Sequence, residues 1–187
     1  MKGRLHVTDN ERDLWEIQQV CLRYCRGIDR LDLDLVRSCY HPDALDHHNG
    51  FDGDVEGFLT WADEYLRKLD GTMHVICNHL ATVRGDFAAA ETYVMSNHWG
   101  QPYEDPQLNW NGLTRYIDRF ERREGVWRIA ERFTVRSTTT IVPASARGDR
   151  GWSGTDSDVA TLAPRRDRDD LTYRVAAQIG ATDIGEA

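Results

Sequence analysis

The 187 residues, 40% apolar and 29% charged, have the size and composition of one folded domain with some extension, which excludes a disordered or collagen-like chain and leaves no comfortable room for two cores. A net charge of -8, from 23 Lys and Arg against 31 Asp and Glu, repels phosphate backbones and anionic lipid and argues against nucleic-acid binding. No apolar run approaches the roughly 18 residues that span a bilayer, and Glu11, Arg12 and Asp13 stand where a signal peptide needs apolar residues, so a cytoplasmic protein without membrane contact is expected.

From Asp9 onward Leu14, Ile17, Cys21, Tyr24 and Ile28 recur at the three- and four-residue spacing of one helix face, with Thr8 or Asp9 as the cap. Leu33, Val36, Arg37 and Tyr40 predict a second, short helix closed by His41-Pro42, because the residue before proline is pushed out of helical geometry. Ala44 to His48 then reads as a short strand. Asp52-Gly53 reads as a turn, and Asp54 as the cap of a third helix carrying Val55, Phe58, Leu59, Ala62, Tyr65, Leu66 and Leu69. Cys21 and Cys25 fall within the first helix while Cys39 and Cys77 stand alone, a pattern of small apolar residues rather than of a disulfide framework or a zinc site.

After Gly71 the period changes to two. Met73 to Val83 and Phe87 to Trp99 flank Arg84-Gly85-Asp86, and Trp110 to Glu121 and Val126 to Val142 flank Glu124-Gly125, which predicts two hairpins of long antiparallel strands. Helices followed by a meander give an α+β domain over residues 1–142, a curved antiparallel sheet with the helices on one face. Beyond Pro143 the glycines at 148, 151 and 154 and the charge run from Arg165 to Asp170 break any period. Residues 143–187 therefore read as a C-terminal extension, either a flexible tail or an arm over the pocket or a neighbouring subunit, with Trp152, Leu162, Leu171 and Tyr173 as anchors.

Strand alternation from Met73 places His74, Ile76 and Asn78 on one face and His79 on the other, and His98 shares a face of the next strand with Ser96. A concave sheet would bring His74 and His98 into one cavity. Asp29 directly follows the apolar face of the first helix, where a carboxylate at the mouth of a core needs a partner. A histidine suits it: the carboxylate fixes the tautomer, leaves the other ring nitrogen free as a base and stabilises the imidazolium. Bland readings stand beside these, with Asp29 as a helix-end residue, His74 as a buried satisfied histidine, Tyr24 as core, and His47 and His48 as an exposed loop pair. Phe58, Trp61 and Tyr65 at helical spacing read as core or as an aromatic wall for a cyclic ligand. His47, His48, His74 and His98 have the chemistry of metal ligands but no familiar ligand spacing, so neither metal nor cofactor is expected.

The helix ending Tyr24-Cys-Arg-Gly-Ile-Asp29, the stretch Tyr40-His-Pro-Asp-Ala44, the strand start Thr72-Met-His74-Val-Ile-Cys-Asn78 and Gly125-Val-Trp127-Arg-Ile together resemble the SnoaL-like branch of the nuclear transport factor 2-like superfamily over roughly residues 9–142. The resemblance implies a cone-shaped α+β fold. It also implies that Asp29 and His74 match the aspartate–histidine pair of the branch's dehydratases and dehydrochlorinase, and that Tyr24 matches a tyrosine of the bile acid 7-alpha-dehydratase. His98 looks like a second pocket histidine of scytalone dehydratase, His48 falls where that enzyme has a substrate-binding tyrosine, and Tyr116 aligns with a polar pocket position. Ile28 replaces a scytalone dehydratase tyrosine, which argues against that substrate.

The function expected on these grounds is a cofactor-independent lyase acting on a hydrophobic cyclic or aromatic small molecule by dehydration, dehydrohalogenation or retro-aldol cleavage. Asp29, His74 and Tyr24 would be catalytic, and His98, His48, Tyr116, Phe58, Trp61 and Asn78 would contact substrate. The alternatives are a ketosteroid-isomerase-like isomerase and a non-catalytic binding or assembly subunit such as the small chain of a ring-hydroxylating dioxygenase. The resemblance also implies a homodimer or homotrimer.

Overall fold

The computed structural model describes residues 8–100, 108–143 and 165–184. The first helix, α1 (Asp9–Arg30), starts in a capping box: the Thr8 hydroxyl accepts from the Glu11 amide at 3.2 Å while the Glu11 carboxylate accepts from the Thr8 amide at 2.7 Å. Its buried stripe of Ile17, Val20, Cys21, Tyr24, Cys25 and Ile28 follows the spacing read from the sequence. Leu31 ends it in the left-handed region at φ 56°, and the Asp32 amide donates back to the Gly27 carbonyl at 2.9 Å. That sharp stop is what places Asp29, in the last turn, against the sheet.

Asp32 caps α2 (Leu33–Ser38) by accepting from the Leu35 amide, and α2 folds back tightly on α1. A Cβ at Gly27 would lie 2.6 Å from Val36 Cγ2 and 3.0 Å from the Asp32 carbonyl. Gly27→Ala, which in an open helix would gain roughly 0.5–1 kcal/mol, is here expected to cost about 1–3 kcal/mol through overpacking. Urea denaturation of the variant measures it, and a stability equal to or above wild type would contradict the close approach.

Strand β1 (Tyr40–His48) begins four residues earlier than the sequence suggests and runs through Pro42. Its pairing with β6 (Val126–Pro143) shifts register between Tyr40 and Leu45, so the missing proline N–H falls where the ladder is irregular. The turn after β1 is Asn49-Gly50, with Gly50 at φ 102°, not Asp52-Gly53, which lies inside β2 (Phe51–Asp54). Asp54 does cap α3 (Val55–Leu66), accepting from the Gly57 amide at 2.8 Å.

The meander β3 (Gly71–Arg84), β4 (Phe87–Trp99), β5 (Leu108–Arg123) and β6 completes a six-stranded curved sheet of order β2-β1-β6-β5-β4-β3. All neighbours are antiparallel except β1 and β6, which run parallel, so the sheet is mixed rather than wholly antiparallel. The concave face packs on α1 and α3 around Phe58, Phe120, Trp127 and Ile129, and the fold is the α+β cone expected. The outer face carries an exposed cross-strand row of Val75, Met95 and Leu113. No helix among the described residues is long and apolar enough to cross a membrane.

Besides β2, one further element was not legible. A helix, α4 (Leu171–Ala177), lies in the extension, where Asp170 caps it and residues 165–184 rest on the ends of α1 and α3. Arg26 pairs with Asp183, Arg168 with Asp32 at 3.3 Å, and Arg166 donates to the carbonyls of Leu66, Leu69 and Asp29. Tyr173 is held beneath the guanidinium groups of Arg26 and Arg168. Trp152 and Leu162 lie outside the described residues.

Candidate active site

The space between α1, α3 and the concave sheet is a cavity of about 250 Å³ whose walls include Tyr24, His48, Phe58, Trp61, His74, His98, Trp110 and Tyr116. Asp29, in the last turn of α1, stands behind His74 and meets the first residues of β3. One carboxylate oxygen accepts from the Thr72 hydroxyl at 2.9 Å and from His74 Nδ1 at 2.7 Å, and the other accepts from the His74 backbone N–H at 2.8 Å. With Nδ1–H committed to Asp29, Nε2 of His74 is the nitrogen left for a ligand.

Burial pushes the Asp29 carboxyl up, but the bonds and charge from His74, with Thr72, outweigh it and hold the group below the usual carboxylate range. A depressed folded-state value means stability that is present above the unfolded value, about pH 4, and lost as pH falls through the folded one. Urea midpoints measured from about pH 6 down to pH 3 are therefore expected to fall less steeply in Asp29→Asn than in wild type. Identical slopes would contradict the carboxylate's role.

His98, on β4, stacks on Trp110 with ring centroids 3.6 Å apart and presents an edge to His74 at 5.5 Å. Burial first, then the charges of His74, Arg136 and Arg166, push its pKa down to about 2, so the ring is neutral, and its Nδ1 is buried without a hydrogen-bond partner among the described residues. Trp110 in turn donates to the Tyr65 hydroxyl at 2.9 Å.

Tyr24 and Tyr116 form the floor. Their rings face the guanidinium of Arg132 at 4.1 Å each, and Arg132 makes two 2.7 Å bonds to Asp118, both side chains being fully buried. Burial pushes both tyrosine hydroxyls up, so they enter any chemistry protonated, as donors. On the far side His48 lies flat against Phe58, with Nδ1 bonded to Asp46, a fully buried carboxylate that also accepts from the Tyr40 hydroxyl at 2.6 Å.

The structure thus brings His74, Tyr24, His98, His48, Tyr116, Phe58 and Trp61 together around one cavity, with Asp29 behind His74 and lining a second pocket on its other side. Asn78 is not among them. A register shift between Ile76 and His79 breaks the alternation of β3, turns Asn78 to solvent and brings His79 inward, where Nδ1 bonds the Thr92 hydroxyl at 2.9 Å. His74 and His79 therefore do point to the same side, contrary to a strict period of two. His47 packs on Phe133 and bonds Asp52 and Glu131, apart from the three cavity histidines. Sequence reasoning passed over Asp46, Trp110, Arg132 and Asp118. For Asp46 a signal was available, since residues i and i+2 of a strand share a face and His48 was already a candidate. Pairing of Arg132 with Asp118 depends on the β5–β6 register, which no local pattern shows.

A model of the SnoaL-like domain matches residues 11–133, and the chain belongs to that family. No curated protein matches it by sequence. Among solved structures it is similar to a hexachlorocyclohexane dehydrochlorinase (LinA, type 2) at 20% identity and a TM-score of 0.68, covering 77% of this chain and 98% of that one. It is also similar to a scytalone dehydratase-like protein of Novosphingobium aromaticivorans, at 16% identity and a TM-score of 0.64 over 76% and 96% of the two chains. The Kfla4162 protein of Kribbella flavida matches with 20% identity and a TM-score of 0.64 over 71% and 95%. At these identities the likeness is one of fold.

Proposed function

We propose that the protein is a lyase that eliminates a leaving group from a hydrophobic cyclic small molecule, with His74 as the base and Asp29 as the residue that orients it and stabilises its charge. The observation that carries this reading is the triply held Asp29 carboxylate bonded to His74 Nδ1 at the wall of an aromatic cavity. His74 takes a proton from carbon next to a carbonyl, the C–H electron pair forms the double bond, and the leaving group departs from the adjacent carbon. Tyr24, a neutral donor backed by the Arg132 guanidinium, polarises the carbonyl oxygen as it gains enolate character. Phe58, Trp61 and Trp110 supply flat apolar walls for the ring. The dehydrochlorinase and the scytalone dehydratase-like protein among the structural neighbours support elimination as the reaction class.

A direct test uses 3-(4-nitrophenoxy)cyclohexanone, whose elimination to cyclohexenone releases coloured nitrophenoxide and needs only a base at the ring carbon. Saturable release that depends on His74 supports the reading. Its absence, or release that survives His74→Ala, would contradict it.

A further inference from the structure

Three histidine rings reach the cavity, and only two have a carboxylate behind them. His74 has Asp29, His48 has Asp46, and His98 has none and is neutral. Asp46 is fully buried, and its two bonds, from the Tyr40 hydroxyl and from His48 Nδ1, fix the His48 ring flat on Phe58. Among the described residues the other ring nitrogen, Nε2, carries no hydrogen bond, while the ring itself lines the cavity. With Nδ1 committed to Asp46, Nε2 is the nitrogen left to exchange a proton with a ligand, as it is in His74.

The topology separates the two pairs. His48 is on β1 and His74 on β3, with β6, β5 and β4 between them in the sheet, so the curled sheet presents them to one cavity from different walls. An elimination from a basic leaving group needs that division of labour, a base at the carbon and an acid at the departing atom. We propose that Asp46 and His48 form a second dyad that protonates the departing group, which makes the natural leaving group a hydroxyl or another basic oxygen rather than a halide. This rests on the lyase reading above.

The step balances without a co-reactant. His74 Nε2 takes the carbon-bound proton, the C–H pair becomes the new double bond, the C–O bond breaks with its pair on oxygen, and His48 Nε2–H passes its proton to that oxygen, giving water and alkene. His74 then returns its proton to solvent and His48 regains one. Chloride leaves well without a proton, whereas hydroxide does not, so a halide-eliminating site would have no use for the second dyad. His48 is the catalytic residue of the pair, and Asp46 is a positioning residue.

Two cyclohexanone ethers that differ only in leaving group decide the matter: the 4-nitrophenoxy compound above, whose phenoxide departs unaided, and the unsubstituted phenoxy compound, whose phenoxide is more basic. His48→Gln is expected to slow release from the phenoxy ether at least about 10²-fold more than it slows release from the nitrophenoxy ether. Equal losses on both ethers, or no loss on either, would overturn the assignment of His48 as the acid. Loss of nitrophenoxide release in His74→Ala is the separate test of the base, so failure of the acid and failure of the base are distinguishable. If wild type eliminates neither ether, both the lyase reading and this one fall. For Asp46, imidazole nitrogen spectra of labelled protein add a readout that a purely structural role would not move. Wild type should show a low-field Nδ1–H signal for His48 that disappears in Asp46→Asn, with a larger rate loss on the phenoxy than on the nitrophenoxy ether. Should Asp46→Asn fail to fold, the leaving-group ratio of His48→Gln, whose folding is checked by its thermal melt, decides alone.

Discussion

His74→Ala is expected to lower kcat/KM for 3-(4-nitrophenoxy)cyclohexanone by about 10² to 10⁴, the range a positioned general base contributes. Asp29→Asn should give a smaller loss, because an amide can still hold the ring but cannot stabilise the imidazolium that forms. The informative measurement is the double variant. If Asp29 acts only through His74, then Asp29→Asn/His74→Ala should be no slower than His74→Ala, since nothing remains for Asp29 to orient. Additive losses would mean that Asp29 touches substrate by a separate route, and its oxygens leave little room for that. One oxygen already accepts from both Thr72 and His74, and the other from the His74 amide. Thr72 belongs to the same unit: a hydroxyl on the first turn of β3 keeps the carboxylate rotated toward the ring, so Thr72→Val should reproduce a weakened version of the Asp29→Asn phenotype.

What could be seen of this site in the sequence depended on how local its causes were. Asp29 was legible because a helix stripe ending at Ile28 leaves the next polar residue at the rim of the core. His74 was legible because strand alternation and the family resemblance agreed on it, and His98 because Ser96 and Val94 fixed its face. The first three helices and the four long strands followed from period, capping and turn signals. Most of the failures share one physical origin, tertiary pairing that local spacing does not encode. The irregular step between Ile76 and His79 carried Asn78 out of the cavity, and no residue there marks a bulge in the way that a glycine would. Asn49-Gly50 is a strong turn signal that the neighbouring Asp52-Gly53 masked, and the true turn leaves Phe51–Asp54 to pair with β1 as β2. The parallel β1–β6 pair and α4 rest on long-range packing that local spacing does not encode. The buried charges were invisible for the same reason, and they set the floor of the cavity.

Asp118→Asn is expected to destabilise the protein by about 3–5 kcal/mol, among the largest effects any single polar substitution should have here. Arg132 lies wholly inside the cone, with Nε and Nη2 bonded to Asp118, Nη1 without a hydrogen-bond partner among the described residues, and the guanidinium carbon 4.1 Å from the ring centres of both Tyr24 and Tyr116. Removing the carboxylate charge leaves a guanidinium in an apolar, aromatic surrounding, and the faces of two neutral phenols recover only part of what is lost, about 2 kcal/mol for a desolvated cation on a ring. Removing both charges is a different experiment. Asp118→Leu/Arg132→Met should regain much of the stability that Asp118→Asn loses, because no isolated ion remains to be buried. Urea denaturation at neutral pH distinguishes the cases: a single variant within about 1 kcal/mol of wild type, or a double variant as unstable as the single, would refute the argument. The same pair of variants separates stability from catalysis. If Arg132 serves only to fill the core, the double variant should eliminate nitrophenoxide at the wild-type rate. If its charge is what makes the Tyr24 hydroxyl an effective donor to a developing enolate, the double variant should be stable and slow, with the loss in kcat rather than in KM.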